Sequence, residues 1–453
     1  MEGLTRQAGA FAVSLRYEDL PPACIEAARI GTADCVGVML AGAAEPGPGI
    51  VASMVSDSSR ADAAPLLPSG RRVAASDAAL INGVAAHVLD YDDVALSAHP
   101  SAVLVPAILA EGWAQQSSGR DLLTAYVAGY EVWALLYRLE PGAVHDLGFH
   151  PTPLVGTIAA AAACARLLRL DAARAATALA ISSSLASGLV ANFGSMTKSL
   201  HAGRAAQSGL LAARLAQAGY TASPDALEHR SGFMQAHSPS RTPDVADRDF
   251  GLGAEWRMPA LGVCVKRYPI CYATHRSIDA LLDLAEAHAI APGDVEAVHV
   301  HIGETQMLML RNHFPQTGLE AKFSLEFAMA AALVARRVGL AELSDDFVRR
   351  DDVRDLMRRV RYTTTAEVAQ GWDQPYAPAD QVTVTLKSGR ELRADPVARP
   401  KGSWERPLSA AELRAKFLDC AARCLGRPAA AALFDQLWKL EATSSARDLK
   451  MSA

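Results

Sequence analysis

VEAVHVHIG, residues 295–303, alternates: Val298, Val300 and Ile302 fall on one side, His299 and His301 on the other. That period of two marks a strand with one buried face and puts both histidines on its solvated side. The stretch decides the fold, because from about 20 to 261 the pattern is helical instead. Upstream, KRYPICYATHRSIDALLDLAEAHAIAPGD (266–294) predicts a helix that ends before Pro292. Downstream, 319–337 reads as a helix, Val360, Tyr362 and Thr364 alternate again, and QVTVTLKSGRELRA (381–394) reads as a hairpin turning at Ser388 and Gly389. The charge run SDDFVRRDDVRDLMRR (344–359) reads as a solvated helix face with internal ion pairs. An α+β unit therefore spans 263–404.

On either side of that unit the chain is helical. Pro21-Pro22 opens a helix reaching the Gly42 region. Further helices are expected over 76–87 with Ser76 as N-cap, 101–115, 121–139, 151–168, 171–189 and 203–218. Another is expected over 223–232, with Ser223 as N-cap and Pro224 at N1. Beyond 404, Ser409 and Glu412 form a capping box for an amphipathic helix through Cys424, and a last helix covers 428–440. The expectation is a mainly α protein. Its large all-α domain starts in 1–262, is interrupted by the smaller α+β domain of 263–404, and is completed by helices in 405–453.

Of 453 residues, 50% are hydrophobic and 21% charged, a soluble globular profile, and a net charge of −5 gives no footprint for nucleic acid or an anionic membrane. The N-terminus lacks a basic n-region and an uninterrupted apolar core, so no signal peptide is read. Ala-rich runs broken by Ser, Gly and Asn read as buried bundle helices rather than membrane spans. Seven scattered cysteines suit a reducing cytoplasm, and Cys420 with Cys424 is at best half of a metal site. No dinucleotide, P-loop, nucleophile-elbow or zincin motif stands in a usable context. Lysine is scarce: 8 of the 44 basic residues, with only Lys198 and Lys266 in the first 321. In so Arg-rich a background, a retained lysine suggests a need for a compact ammonium; chance retention is the alternative.

Four segments hold candidate chemistry. HVLDYDDVALSAHP (87–100) puts three aspartates and two histidines between apolar flanks. If a helix ran from Ile81 through Val94, His87, Asp90 and Val94 would share a face while Asp92 and Asp93 pointed elsewhere. Pro100 would hold His99 out of the helix. Asp90 and His99 then form an acid–base pair, or the segment is a solvated turn. In GFHPTPLVGT, His150 precedes a helix N-terminus that favours a carboxylate, or it lies on a loop. In FGSMTKSLHAGRAAQSG, Lys198 sits in a polar break, with His201 three residues on. It anchors an acidic substrate or faces solvent. VKRYPICYATH places Lys266, Arg267, Tyr268, Cys271 and His275 at the domain junction, a favoured ligand position.

Together these segments resemble the MmgE/PrpD family over nearly the whole chain. The likeness rests on GTADCVGVMLAG, AALINGVAAHVLDYDDVALSAHPSAVLVPAILA, GFHPTPLVGTIAAAAACARLLRLD, MTKSLHAGRAAQSGLLAARLAQAGYTA, KRYPICYATHRSIDA and EAKFSLEFAMAAAL. That family includes 2-methylcitrate dehydratase, cis-aconitate decarboxylase and iminodisuccinate epimerase. The resemblance implies a helical domain built from both chain ends, an inserted α+β lid, a homodimer, a site in the cleft between domains, and no metal or other cofactor. Residue by residue, it implies catalytic roles for Asp90, His99, His150, Lys198 and Lys266. Arg267, Tyr268 and Cys271 join the lysines as substrate contacts. Three positions depart from the decarboxylase-like pattern: Val94 for Thr, Cys271 for His and Phe327 for Tyr.

The expected activity is a cytoplasmic, metal-free hydro-lyase of the 2-methylcitrate dehydratase type. It would abstract a proton next to a carboxylate of a small hydroxylated di- or tricarboxylate. The lysines neutralise carboxylates, His99 or His150 moves the proton, and Asp90 orients a histidine. Cys271 is a second acid or an inert buried thiol. An epimerase of the iminodisuccinate type and a non-catalytic helical binding module are the alternatives.

Overall fold

The computed structural model describes residues 2–140, 143–370, 372 and 375–452. The protein is mainly α with a small sheet. It divides into two compact units: Met1–Val88, Asp92–Val263 and Ala410–Ala453 form one, and Leu89–Tyr91 with Cys264–Ser409 form the other.

The longer helices of the first unit are α1 (Leu4–Ser14), α2 (Pro22–Gly42), α3 (Ala75–Val88), α4 (Pro100–Gln115), α5 (Gly119–Leu139), α6 (Pro151–Leu167), α7 (Ala172–Ser183) and α8 (Met196–Gln217), joined by Ala410–Leu425 and Arg427–Leu437. Pro22, Pro100 and Pro151 each open a helix, where the missing N–H costs nothing. Ser118 and Asp121 close a capping box on α5. Among the described residues, no single helix is long and apolar enough to cross a membrane.

Small residues set how closely these helices approach. α3 packs most extensively on α8, and they cross at Gly83 and Gly203. A Cβ on Gly203 would stand 2.2 Å from the Leu80 carbonyl oxygen, and one on Gly83 2.6 Å from the Gly203 Cα. Farther along α8, a Cβ on Gly209 would stand 2.5 Å from the Ala160 Cβ of α6. The glycine crossing brings the last turn of α3, with His87, beside the first turns of α8. Gly203→Ala must push backbone against backbone and is expected to cost about 1–3 kcal/mol. A urea midpoint equal to the wild type's would refute this account of the crossing.

Several helix boundaries differ from expectation. α3 ends at Val88 rather than continuing to 94, and it begins at Ala75, so Ser76 is not its cap. α7 stops at Ser183, ahead of Gly188 at φ 139°. α8 begins at Met196, so Lys198 lies in its first turn and not in a break. Residues 223–232 form turns, because the Ser223 hydroxyl donates to the Asp225 carboxylate at 2.5 Å instead of capping a helix. The helix expected over 319–337 is two, Gly318–Ala321 and Leu325–Ala335, and Ser324 caps the second through the Phe327 N–H.

The second unit carries a four-stranded sheet of β1 (Val295–Gly303), β2 (Val360–Thr365), β3 (Gln381–Leu386) and β4 (Glu391–Arg393), in the order β2-β1-β3-β4. β1 runs parallel to β2, with Val298 opposite Val360, and antiparallel to β3; β3 and β4 form the hairpin, with Gly389 at φ 84° in its turn. Val298, Val300 and Ile302 are fully buried, as the alternation predicts, while His299 is half-buried and His301 exposed. The charge run forms two short helices with the Arg349–Asp345, Arg350–Asp352 and Arg359–Asp355 pairs on their surfaces.

Candidate active site

The helical unit gathers four imidazoles, two carboxyl groups and one ammonium. The chain leaves α3 at Val88 and returns through a tight turn, Ala95–Ala98, whose central residues Leu96 and Ser97 have φ of 57° and 53°. Left-handed backbone at a leucine is strained by about 1–2 kcal/mol. It brings His99 back against the end of α3. Because α3 stops early, the expected His87–Asp90–Val94 face does not form. The carboxylate that meets the histidines is Asp92, wholly buried. It lies 3.1 Å from His87 Nδ1 and 2.9 Å from His99 Nδ1. The Asp93 carbonyl also accepts from His99 Nδ1, at 3.0 Å.

Two acceptors on one nitrogen fix the His99 tautomer. Nδ1 carries the proton, so in the neutral ring Nε2 holds the lone pair. Burial pushes His87 down to about 4 against the pull of Asp92, so this ring is neutral at physiological pH. Burial would raise Asp92, but the two imidazoles outweigh it and hold its carboxyl well below the usual range. The ring of His87 stands edge-on to that of His99, with centroids 4.5 Å apart.

His150 and Lys198 complete the cluster. His99 and His150 are both N-cap residues directly before a Pro at N1, of α4 and α6. The His99 N–H donates to Thr152 Oγ1 at 3.2 Å, tying the two helix starts together. Lys198, third residue of α8, has its ammonium 5.3 Å from the Phe193 ring centre, and that ring stands edge-on to His150 at 4.7 Å. His150 Nδ1 meets His201 Nδ1 at 3.2 Å. Burial and then the Lys198 charge push His150 well below its ordinary value, and burial with His87 and Lys198 takes His201 down to about 4. A lysine in a first turn opposes the helix dipole by about 0.3–1 kcal/mol. Local rules broken at a buried polar cluster mark a functional site.

Asp93 faces the other way. Its carboxyl accepts from the Ser101 hydroxyl and N–H, and Ser101 meets the Tyr126 hydroxyl at 2.7 Å. Burial, opposed by the Ser101 bonds and reinforced by Asp34 and Asp92, pushes Asp93 up to about 8. An acid whose folded value is raised keeps its full stability contribution below its unfolded value near 4 and loses it as pH rises towards 8, by about 1.4 kcal/mol per pH unit. Asp93→Asn removes that loss. Its stability relative to wild type is expected to climb between pH 5.5 and 7.5, read from urea midpoints; a constant difference would place an ionised carboxylate at position 93.

Asp90 and Lys266 lie in the second unit. Asp90, at φ 51°, receives the Lys266 ammonium on its carboxylate at 2.8 Å and on its carbonyl at 2.9 Å, with both side chains buried. Arg267 pairs with Asp279 at 3.1 Å, and the Tyr268 hydroxyl donates to the same carboxylate at 2.6 Å. Cys271 is buried, its N–H donating to the Lys322 carbonyl. Val94 and Phe327 are buried too, Phe327 edge-on to Phe347. His99, His150 and Lys198 are thus brought together in one unit, and Asp90 with Lys266 in the other. Sequence reasoning put His87 on a face with Asp90 and pointed Asp92 away, because it extended α3 too far. It gave His201 no role of its own, although its spacing from Lys198 places both in the opening turns of one helix.

Donor atoms of His87, Asp92 and His99 lie within 4.8 Å of one another, a set on which a transition-metal ion can close. As it stands, the cluster has the geometry of hydrogen bonds: a carboxylate orienting two imidazoles, a second imidazole pair, and a cation. That is the equipment of an acid–base enzyme.

Comparison with known proteins agrees. Residues 6–246 match the MmgE/PrpD N-terminal domain and 268–440 the MmgE/PrpD C-terminal domain. The chain is 31% identical over 379 residues to the cis-aconitate decarboxylase of Mus musculus, covering 80% of this chain and 75% of that one. It is 31% identical over 365 residues to the Homo sapiens enzyme of that name, covering 77% and 73%. It is 25% identical over 427 residues to that of Aspergillus terreus, covering 89% and 86%. The protein belongs to the MmgE/PrpD family. It is an enzyme, and the relatives it matches are lyases by name.

Proposed function

We propose that the protein is a lyase that eliminates water from a small hydroxylated di- or tricarboxylate. The observation that carries this reading is the meeting of three helix starts, at His99, His150 and Lys198, around one buried carboxylate–imidazole cluster. Helix N-termini and an ammonium attract carboxylates. Neutral imidazoles in a dry site serve as bases and acids rather than as fixed charges. In this reading Lys198 holds a substrate carboxylate and stabilises charge that builds on the adjacent carbon. His99, with its Nδ1–H held by Asp92, takes the proton at Nε2. His150 returns one to the departing hydroxyl.

Decarboxylation, the activity in the relatives' names, is the second reading, favoured by the 31% identity. Against it stand Val94, Cys271 and Phe327: two of the three offer no proton, and the third is a thiol. Proton NMR in D₂O with 2-methylcitrate, citrate and cis-aconitate separates the two. An alkene formed from a hydroxy acid without CO₂ release supports dehydration. CO₂ release from cis-aconitate would replace it with decarboxylation. Neither reaction with an intact fold would leave a binding protein. The same assay after dialysis against EDTA is expected to be unchanged; activity lost and then restored by a divalent cation would put a metal on His87, Asp92 and His99.

A further inference from the structure

The two Nδ1 atoms of His150 and His201 face each other at 3.2 Å. Two lone pairs there would repel and two protons would collide, so the contact holds one proton. One ring donates through Nδ1–H and therefore has a bare Nε2; the other accepts at Nδ1 and therefore carries its proton on Nε2. Among the described residues, neither Nε2 is taken up by a protein hydrogen bond.

We propose that His201 is the positioning partner of His150, and that the two imidazoles form one tautomer-coupled relay in which a proton accepted at one Nε2 leaves from the other. The inference rests on the acid–base reading above and deepens it. The step balances. A proton bonds to the bare Nε2, and that ring's Nδ1–H bond breaks as the same proton bonds to the neighbouring Nδ1. The neighbour's Nε2–H bond then breaks and delivers a proton to the departing hydroxyl or to water. No net charge remains, and the tautomers have exchanged; a proton gained from water at one end and lost at the other resets them.

The surroundings are built for such a pair. Gly188 touches both residues. Its carbonyl accepts the His150 backbone N–H at 3.0 Å, and a Cβ at this position would come 3.3 Å from His201 Cγ and 3.4 Å from His201 Nδ1. At φ 139° this position favours glycine. The charged and titratable groups near the pair include Lys198 in the first turn of α8, His87 at the end of α3, His99 at the start of α4, and His145, which meets the same Phe193 ring as His150. Burial first, and then the Lys198 charge, oppose a second proton on either ring, which keeps the pair neutral.

The test uses the full chain labelled with ¹⁵N-histidine, with His150→Asn and His201→Asn assigning the signals. At pH 7 one ring of the pair should be the Nδ1–H tautomer and the other Nε2–H, and neither should become an imidazolium by pH 6. Identical tautomers, or an imidazolium at pH 6, would overturn the proposal. His201→Asn keeps an atom where Nδ1 was but passes no proton. It should lower kcat by about 10²-fold, with KM within threefold. A wild-type kcat, or a loss confined to KM, would reduce His201 to packing. The spectra need no substrate, so a protein that turns over no polycarboxylate would defeat the lyase reading while the tautomers still decide the relay.

Discussion

Asp92→Asn is expected to lower turnover by about 10²- to 10⁴-fold while circular dichroism and the oligomer profile stay those of the wild type. Asp92 accepts from two ring nitrogens, His87 Nδ1 and His99 Nδ1, and a carboxylate does so without compromise. An asparagine has one acceptor oxygen, and its NH₂ can only donate. One ring must therefore turn over or change tautomer. If that ring is His99, its proton moves to Nε2 and the lone pair needed for abstraction is lost. The negative charge that faces the His99 ring disappears with it. His87 contributes indirectly: its buried Nε2 has no hydrogen-bond partner, so its hold on Asp92 is its one polar attachment among the described residues. Turnover within tenfold of the wild type in a folded Asp92→Asn protein would remove Asp92 and His99 from the chemistry.

Much of the architecture is legible because it depends on local periodicity. VEAVHVHIG forms the buried-face strand its alternation requires, and the Pro-opened helices at 22, 100 and 151 start where those residues dictate. Helix ends are less legible. Residues 81–94 keep a helical spacing of polar groups, yet the chain turns at Leu89, because the pairing of Asp90 with the distant Lys266 and of Asp92 with its neighbours His87 and His99 outweighs propensity. That one boundary decides which aspartate meets the histidines. His99, His150 and Lys198 could be singled out from HP, HP and MTK; the pairing of His201 with His150 could not, since 51 residues separate them and no local pattern encodes the crossing. The Gly83–Gly203 contact belongs to the same class: each glycine is visible, but the mutual approach is tertiary.

Lys266→Met should destabilise the second unit by about 3–5 kcal/mol, and most of that loss should vanish in the double variant Lys266→Met/Asp90→Asn. The ammonium and the carboxylate lie 2.8 Å apart, with 1% and 5% of their side chains exposed. Removing Lys266 alone leaves a buried anion, whose desolvation exceeds anything a methionine returns through packing. Removing both charges leaves a neutral amide beside an apolar chain of similar length. Asparagine is the right replacement at position 90, because φ there is 51° and asparagine tolerates that backbone as aspartate does, whereas alanine would add strain. Asp90→Asn alone should cost less than Lys266→Met, because the ammonium keeps the backbone carbonyl of residue 90 as an acceptor at 2.9 Å. Urea unfolding, with hydrogen exchange over 264–409 to locate the loss, measures the cycle. If each single change costs under about 1 kcal/mol and the two simply add, the pair is not holding this unit together. Lys266 would then be available for the substrate-binding role that the family resemblance assigns to it.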